Sequence, residues 1–135
     1  MFSREGGSGG DQEIQVFGAF TLKEIDGLSS LQPTKLILSA ATRLLNLKCS
    51  SSSLSILEMA SNVFLRTIDL SGCSILKQGV SIRAMDNLRS IDLSETEVTS
   101  ISPSAVGSAL RTVRCGPLFT ELNIKNQYLL NTVTL

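Results

Sequence analysis

The sequence predicts an α/β solenoid: a right-handed stack of coils with a parallel β-sheet on its concave face and short helices, 3-10 turns or loops on its convex side. Three observations point there. Leucines recur at near-constant intervals, at Leu22, Leu44, Leu65, Leu88, Leu110 and Leu130, in steps of 22, 21, 23, 22 and 20 residues. Most of them open one short phrase, with apolar residues three and five positions later. The segments between phrases run to about 12–15 residues, long enough to carry the chain back to start another parallel strand. Self-similarity at this period marks stacked supersecondary units rather than a single globular core.

Taken in order, residues 1–12 are rich in Gly and Ser and poor in apolar groups, and are expected to form a flexible tail. Gly6 to Gly10 lacks a preceding strand and a following Gly-Lys-Ser/Thr, so it is not read as a phosphate loop. The solenoid is expected over 13–135, in about five to six repeats. The first unit is Leu22 and Ile25, with Gly27 where an apolar residue is expected. The second has Leu44, Leu47, Cys49, Ser52 and Leu54. The third and fourth are the clearest, Leu65-Arg-Thr-Ile68-Asp-Leu70-Ser-Gly-Cys73-Ser-Ile75 and Leu88-Arg-Ser-Ile91-Asp-Leu93-Ser-Glu-Thr96-Glu-Val98. The last two give Leu110, Val113 and Cys115, then Leu130, Val133 and Leu135. Alternation such as Ile91-Asp92-Leu93-Ser94 turns Ile91 and Leu93 inward and Asp92 and Ser94 outward in a strand. Such short strands are stable only when paired with neighbours. Short helices or 3-10 turns are expected over 56–62 and 81–87, and Pro103 suits a first helical turn with Ser102 as its N-cap.

The phrase resembles the leucine-rich repeat, LxxLxLxx(N/C/T) followed by another apolar residue, over about residues 19–135. The family's turn-forming Asn is replaced by Ser52, Cys73 and Thr96, and the unit at Leu110 has Leu118 there, after Pro117. Val98-Thr-Ser-Ile101-Ser-Pro-Ser-Ala105-Val106 is similar to the BspA-like subtype, with Val106 standing for its Phe; Ala19-Phe20 is a shortened second copy. The family resemblance implies a binding scaffold, and the subtype implies an adhesive surface protein.

Composition narrows the function. Aromatics are 4% and Trp is absent, so the core is expected to be aliphatic. Lys plus Arg and Asp plus Glu are both 12, so there is no basic excess, and no Lys/Arg cluster is read that could follow a phosphate backbone, so no nucleic-acid partner is expected. His is absent, which removes Ser-His and Cys-His nucleophile pairs from within the chain. Cys49, Cys73 and Cys115 are far apart and odd in number, and read as buried apolar side chains rather than disulfide or zinc ligands. The run from Cys49 to Ser53 has no base beside it, and carboxylates on an open sheet have no apolar pocket to separate their pKa values. No catalysis, cofactor or metal is therefore expected. No secretory h-region or membrane-length apolar stretch is visible. The expected location is cytoplasmic, or the cell surface if the chain is a fragment of a longer adhesin.

The candidate partner-binding residues are the outward strand positions Asp26, Lys48, Asp69, Asp92 and Arg114, which share one row with Thr134. In a purely structural ladder Lys48 would neutralise Asp69 and Arg114 would neutralise Asp92. Against this, Asp69 beside Asp92 is a like-charge pair that a structural ladder avoids. A second row is Asn46, Thr67, Ser90, Thr112 and Thr132, and a third is Ser50, Ser71, Ser94 and Gly116. The expected function is a non-catalytic scaffold that binds a protein partner on its concave face. The alternatives are an adhesion fragment binding host matrix or glycan, and a structural piece of a longer array. The chain stops inside a repeat phrase without a cap, so its C-terminal edge strand is expected to be prone to self-association.

Overall fold

The computed structural model describes residues 2–6, 12–16, 22–59, 62–77, 85–101, 109–122 and 129–135. In chain order the elements are β1 (Phe2–Gly6), β2 (Gln12–Val16), β3 (Glu24–Ile25), a 3-10 turn at Leu28–Leu31, β4 (Lys35–Ile37), β5 (Asn46–Lys48), β6 (Ile56–Glu58), β7 (Thr67–Asp69), β8 (Ser90–Asp92), β9 (Ser100–Ile101), β10 (Thr112–Arg114), β11 (Glu121–Leu122) and β12 (Thr132–Thr134). The phrase after each repeat leucine supplies one rung of a parallel six-stranded sheet, β3-β5-β7-β8-β10-β12.

Leu44, Leu65 and Leu88 enter their rungs from the same tight turn. Leu44 N–H donates to the Ala41 carbonyl (3.2 Å), Leu65 to Asn62 (3.1 Å) and Leu88 to Met85 (3.1 Å). The repeated turn sets a repeated entry angle, so the side chains stack in columns. Leu44, Leu65, Leu88 and Leu110 are buried in one cluster, with Leu22 and Leu130 packed against it. Beside them run Ile25, Leu47, Ile68, Ile91 and Val113, then Cys49, Leu70, Leu93 and Cys115, all buried. Burying one such aliphatic side chain contributes about 1.5–3 kcal/mol, so the columns are the main source of stability.

The short helices of the expected fold are not supported. Among the described residues the only helical element is the 3-10 turn at Leu28–Leu31. Residues 56–58, expected in a short helix or 3-10 turn, form β6, which pairs with β4 as β4 pairs with β2. A similar pair, β9 and β11, lies further along. The reason is length. Seven residues separate β5 from β6, and they are mostly serine with a turn closing from Ser51 O to Leu54 N–H. A helix that short cannot offset its nucleation cost, whereas a three-residue rung gains interstrand bonds immediately. Residues 81–84 and the Ser102–Pro103 pair lie outside the described residues.

Residues 2–6 lie in the segment read from composition as a tail. They form β1, antiparallel to β2, with Phe2 opposite Val16 and Gly6 opposite Gln12. Composition argued only from side-chain burial. β1 is instead held by backbone pairing with an edge strand that would otherwise be open. At the other end β12 is the edge of the six-stranded sheet, and there Val133 is 43% and Leu135 86% exposed.

Candidate functional site

The outer face of the six-stranded sheet carries two polar rows in strict register. Asn46 lies beside Thr67, Thr67 beside Ser90, and Ser90 beside Thr112. In the second row Lys48 lies beside Asp69, Asp69 beside Asp92, and Asp92 beside Arg114. Ile25 pairs with Leu47, which places Asp26 next to Lys48. Together the rows line one open trough of about 410 Å³, and all five predicted residues, Asp26, Lys48, Asp69, Asp92 and Arg114, border it. Two-residue periodicity put these side chains outward, and the repeat brought them together.

The expected ion-pair ladder forms only in part. Arg114 Nη1 lies 3.8 Å from Asp92 Oδ2. Lys48 forms no ion pair among the described residues, so the bridge to Asp69 is absent. The carboxylates have local partners instead. Ser71 donates to Asp69 Oδ1 from its backbone N–H (3.0 Å) and its hydroxyl (2.6 Å). Ser94 does the same for Asp92 Oδ1, at 2.9 Å and 2.5 Å. Each Asp thus closes the turn that ends its strand. That local bonding explains how two like charges sit on adjacent rungs. It also gives the third row a structural task, since Ser71 and Ser94 are the donors. Asp26 accepts from Gly27 N–H (2.6 Å), and Thr67 Oγ1 donates to Asn46 Oδ1 (2.7 Å).

This geometry can hold a ligand by charge and hydrogen bonding. Among the described residues no group of His, Cys, Asp or Glu side chains is placed to hold a metal ion, and no helix is long and apolar enough to cross a membrane. The three cysteines are free and buried. The Cys73 thiol donates to the Cys49 carbonyl (3.2 Å), and contact with Cys73 together with burial pushes the Cys49 thiol up.

Burial alone pushes the Cys115 thiol up. The unfolded thiol loses its proton near pH 8.5, before the folded one does. Above that pH the unfolded state therefore binds fewer protons, and stability falls as pH rises, by up to about 1.4 kcal/mol per unit for this thiol. Urea midpoints are expected to drop from neutral pH to pH values between about 8.5 and 10, and Cys115→Ala to flatten that drop. An unchanged slope in the variant would contradict the assignment.

Sequence reasoning missed two features. One is Asn62, fully buried, whose amide reaches back to the preceding coil. The other is a file of cations on the rim of the trough, Lys23, Arg66, Arg89 and Arg111. Its signal was visible as an Arg directly after three of the repeat leucines, at Leu65-Arg66, Leu88-Arg89 and Leu110-Arg111. No protein-family model matches the chain, and no curated protein or solved structure is significantly similar to it.

Proposed function

We propose that the chain is a non-catalytic interaction scaffold that holds a protein partner in the trough on the outer face of its six-stranded sheet. The carrying observation is that Asp26, Lys48, Asp69, Asp92 and Arg114, dispersed over the sequence, file along one open trough of about 410 Å³. The leucine-rich-repeat reading rests on the phrase LxxLxL and on the aliphatic columns that it builds; such solenoids use their sheet face for binding. Along the row the charges run acid, base, acid, acid, base. The complementary partner is an extended segment that presents a cation to Asp69 and Asp92 and a carboxylate to Lys48.

The test must separate binding from the turn-closing role of the two carboxylates. Asp69→Asn with Asp92→Asn keeps the oxygens that accept from Ser71 and Ser94 and removes both charges. A partner captured by the full chain and identified by mass spectrometry is expected to bind the double variant about tenfold more weakly, a loss of roughly 1.4 kcal/mol. The circular dichroism spectrum and melting temperature should be unchanged. A partner that binds this variant and Lys48→Glu as tightly as the original protein would place the contact surface elsewhere.

A further inference from the structure

The repeat sets a second file of charge beside the trough. Backbone hydrogen bonds stack one position per coil: Leu45 N–H donates to Lys23 O (2.7 Å), Arg66 to Leu45 O (2.7 Å), Arg89 to Arg66 O (2.8 Å) and Arg111 to Arg89 O (2.8 Å). Lys23, Arg66, Arg89 and Arg111 are exposed, and among the described residues none of them forms an ion pair. At about 4.8 Å per rung the file spans about 19 Å. Cations on adjacent rungs repel, and a structural ladder would alternate signs. The other sheet does alternate: Lys35 meets Glu58 at 3.0 Å and Glu13 at 3.9 Å. Where Leu45 interrupts the file, Arg43 and Phe64 join Lys23 and Leu45 around a small cleft of about 130 Å³. Phe64 is 48% exposed there. The row of Thr67, Ser90 and Thr112 runs alongside.

We propose that this rim binds single-stranded nucleic acid, with the arginines on successive backbone phosphates and Phe64 stacked on a base. The guanidinium fork matches the oxygens of a phosphate. An exposed aromatic ring among cations is the stacking platform of sequence-tolerant single-strand binding. The file is one side chain wide, so it follows a linear polyanion rather than the plane of an anionic membrane. The sequence conceals it because the three arginines are 23 and 22 residues apart, and the balanced net charge masks a one-sided distribution.

The test is fluorescence anisotropy of a labelled oligouridylate, long enough to span the file, titrated with the full chain at several salt concentrations. Three phosphate contacts predict a slope of log K against log salt of about −2. Replacing Arg66, Arg89 and Arg111 together by Gln should bring that slope close to zero, and Phe64→Ala should weaken binding about tenfold. Lys77→Gln, which removes a cation paired with Glu97, should leave binding unchanged. The melting temperature of the triple variant should equal or exceed that of the original protein, because the repulsion is gone. Absence of oligonucleotide binding at low salt, or a slope and affinity retained in the triple variant, would overturn the proposal. Arginine-dependent capture by phosphatidylserine vesicles without oligonucleotide binding would overturn it in favour of a membrane surface.

Discussion

Gly116→Ala is expected to destabilise the fold by about 1–3 kcal/mol, and Gly116→Val by more. Gly116 follows β10 and packs against the turn that closes the preceding coil. A Cβ built there would lie 2.4 Å from Thr96 O, 3.1 Å from Leu93 O and 3.2 Å from Thr96 N. All three atoms are backbone, and the turn is braced by Thr96 N–H and Thr96 Oγ1, which both donate to Leu93 O, at 3.3 Å and 2.7 Å. No side chain can rotate away to make room, so the two coils must separate locally. Separation strains the adjacent bond from Leu93 N–H to Arg114 O (2.8 Å) and opens the column of Leu93 and Cys115. Gly27→Ala is the control. Nothing lies within 4 Å of its Cβ, and only the φ of +79° opposes the substitution, for about 1–2 kcal/mol. Urea denaturation of the three variants should rank Gly116→Val above Gly116→Ala in loss. A Gly116→Ala protein as stable as the original would mean that the coils are not in the contact described.

Much of this architecture was legible in the sequence because a solenoid writes its packing rule once per coil. Ile91 and Leu93 point inward and Asp92 outward by strand alternation alone, and the recurrence of the phrase aligned Asp92 with Asp69 and Arg114. What did not follow was the return path. Ile56 to Glu58 has apolar residues without a decisive period, and whether such a piece is helix or strand depends on what it can pair with. The free edge of β4 decided it. The rows of the trough were legible by residue, but their bonding was not. Nothing in Asp-Leu-Ser says that the carboxylate will close on its own serine rather than reach Lys48, a competition settled by a two-residue separation against a cross-strand one. The arginine file was missed because charge was read along the chain, whereas the repeat assembles charge across it. Asn62 was missed for a related reason: its coil equivalents are Ala41 and Met85, so it carried no periodic signal.

Asn62 is accordingly where a polar substitution should matter most. Its side chain is fully buried, and Nδ2 donates to Leu38 O at 3.1 Å and Ala41 O at 2.8 Å. Both of these acceptors are carbonyls, so an acceptor cannot take the place of Nδ2. The same carbonyls accept from the turn N–H groups of Ala41 and Leu44, so the amide clamps two consecutive corners of one coil to the start of the next. Asn62→Ala loses two hydrogen bonds at about 1 kcal/mol each and leaves a small cavity, for a total near 3 kcal/mol. Asn62→Met fills the space as Met85 does in the following coil, and should lose only the hydrogen bonds, about 2 kcal/mol. Asn62→Asp should be the worst at neutral pH, because it replaces the Nδ2 donor by a carboxylate oxygen that faces the Leu38 and Ala41 carbonyl oxygens. The aspartic acid would survive in the fold only when protonated, which raises its folded pKa above the unfolded value of about 3.9. Its stability is then greatest below pH ~4 and is lost as pH rises, the reverse of the usual carboxylate. Thermal melts of the three variants between acid and neutral pH would check the ranking and the sign. If Asn62→Met proved as stable as the original protein, the amide bonds to Leu38 and Ala41 would contribute nothing, and the clamp between the coils would have to be credited to aliphatic packing alone.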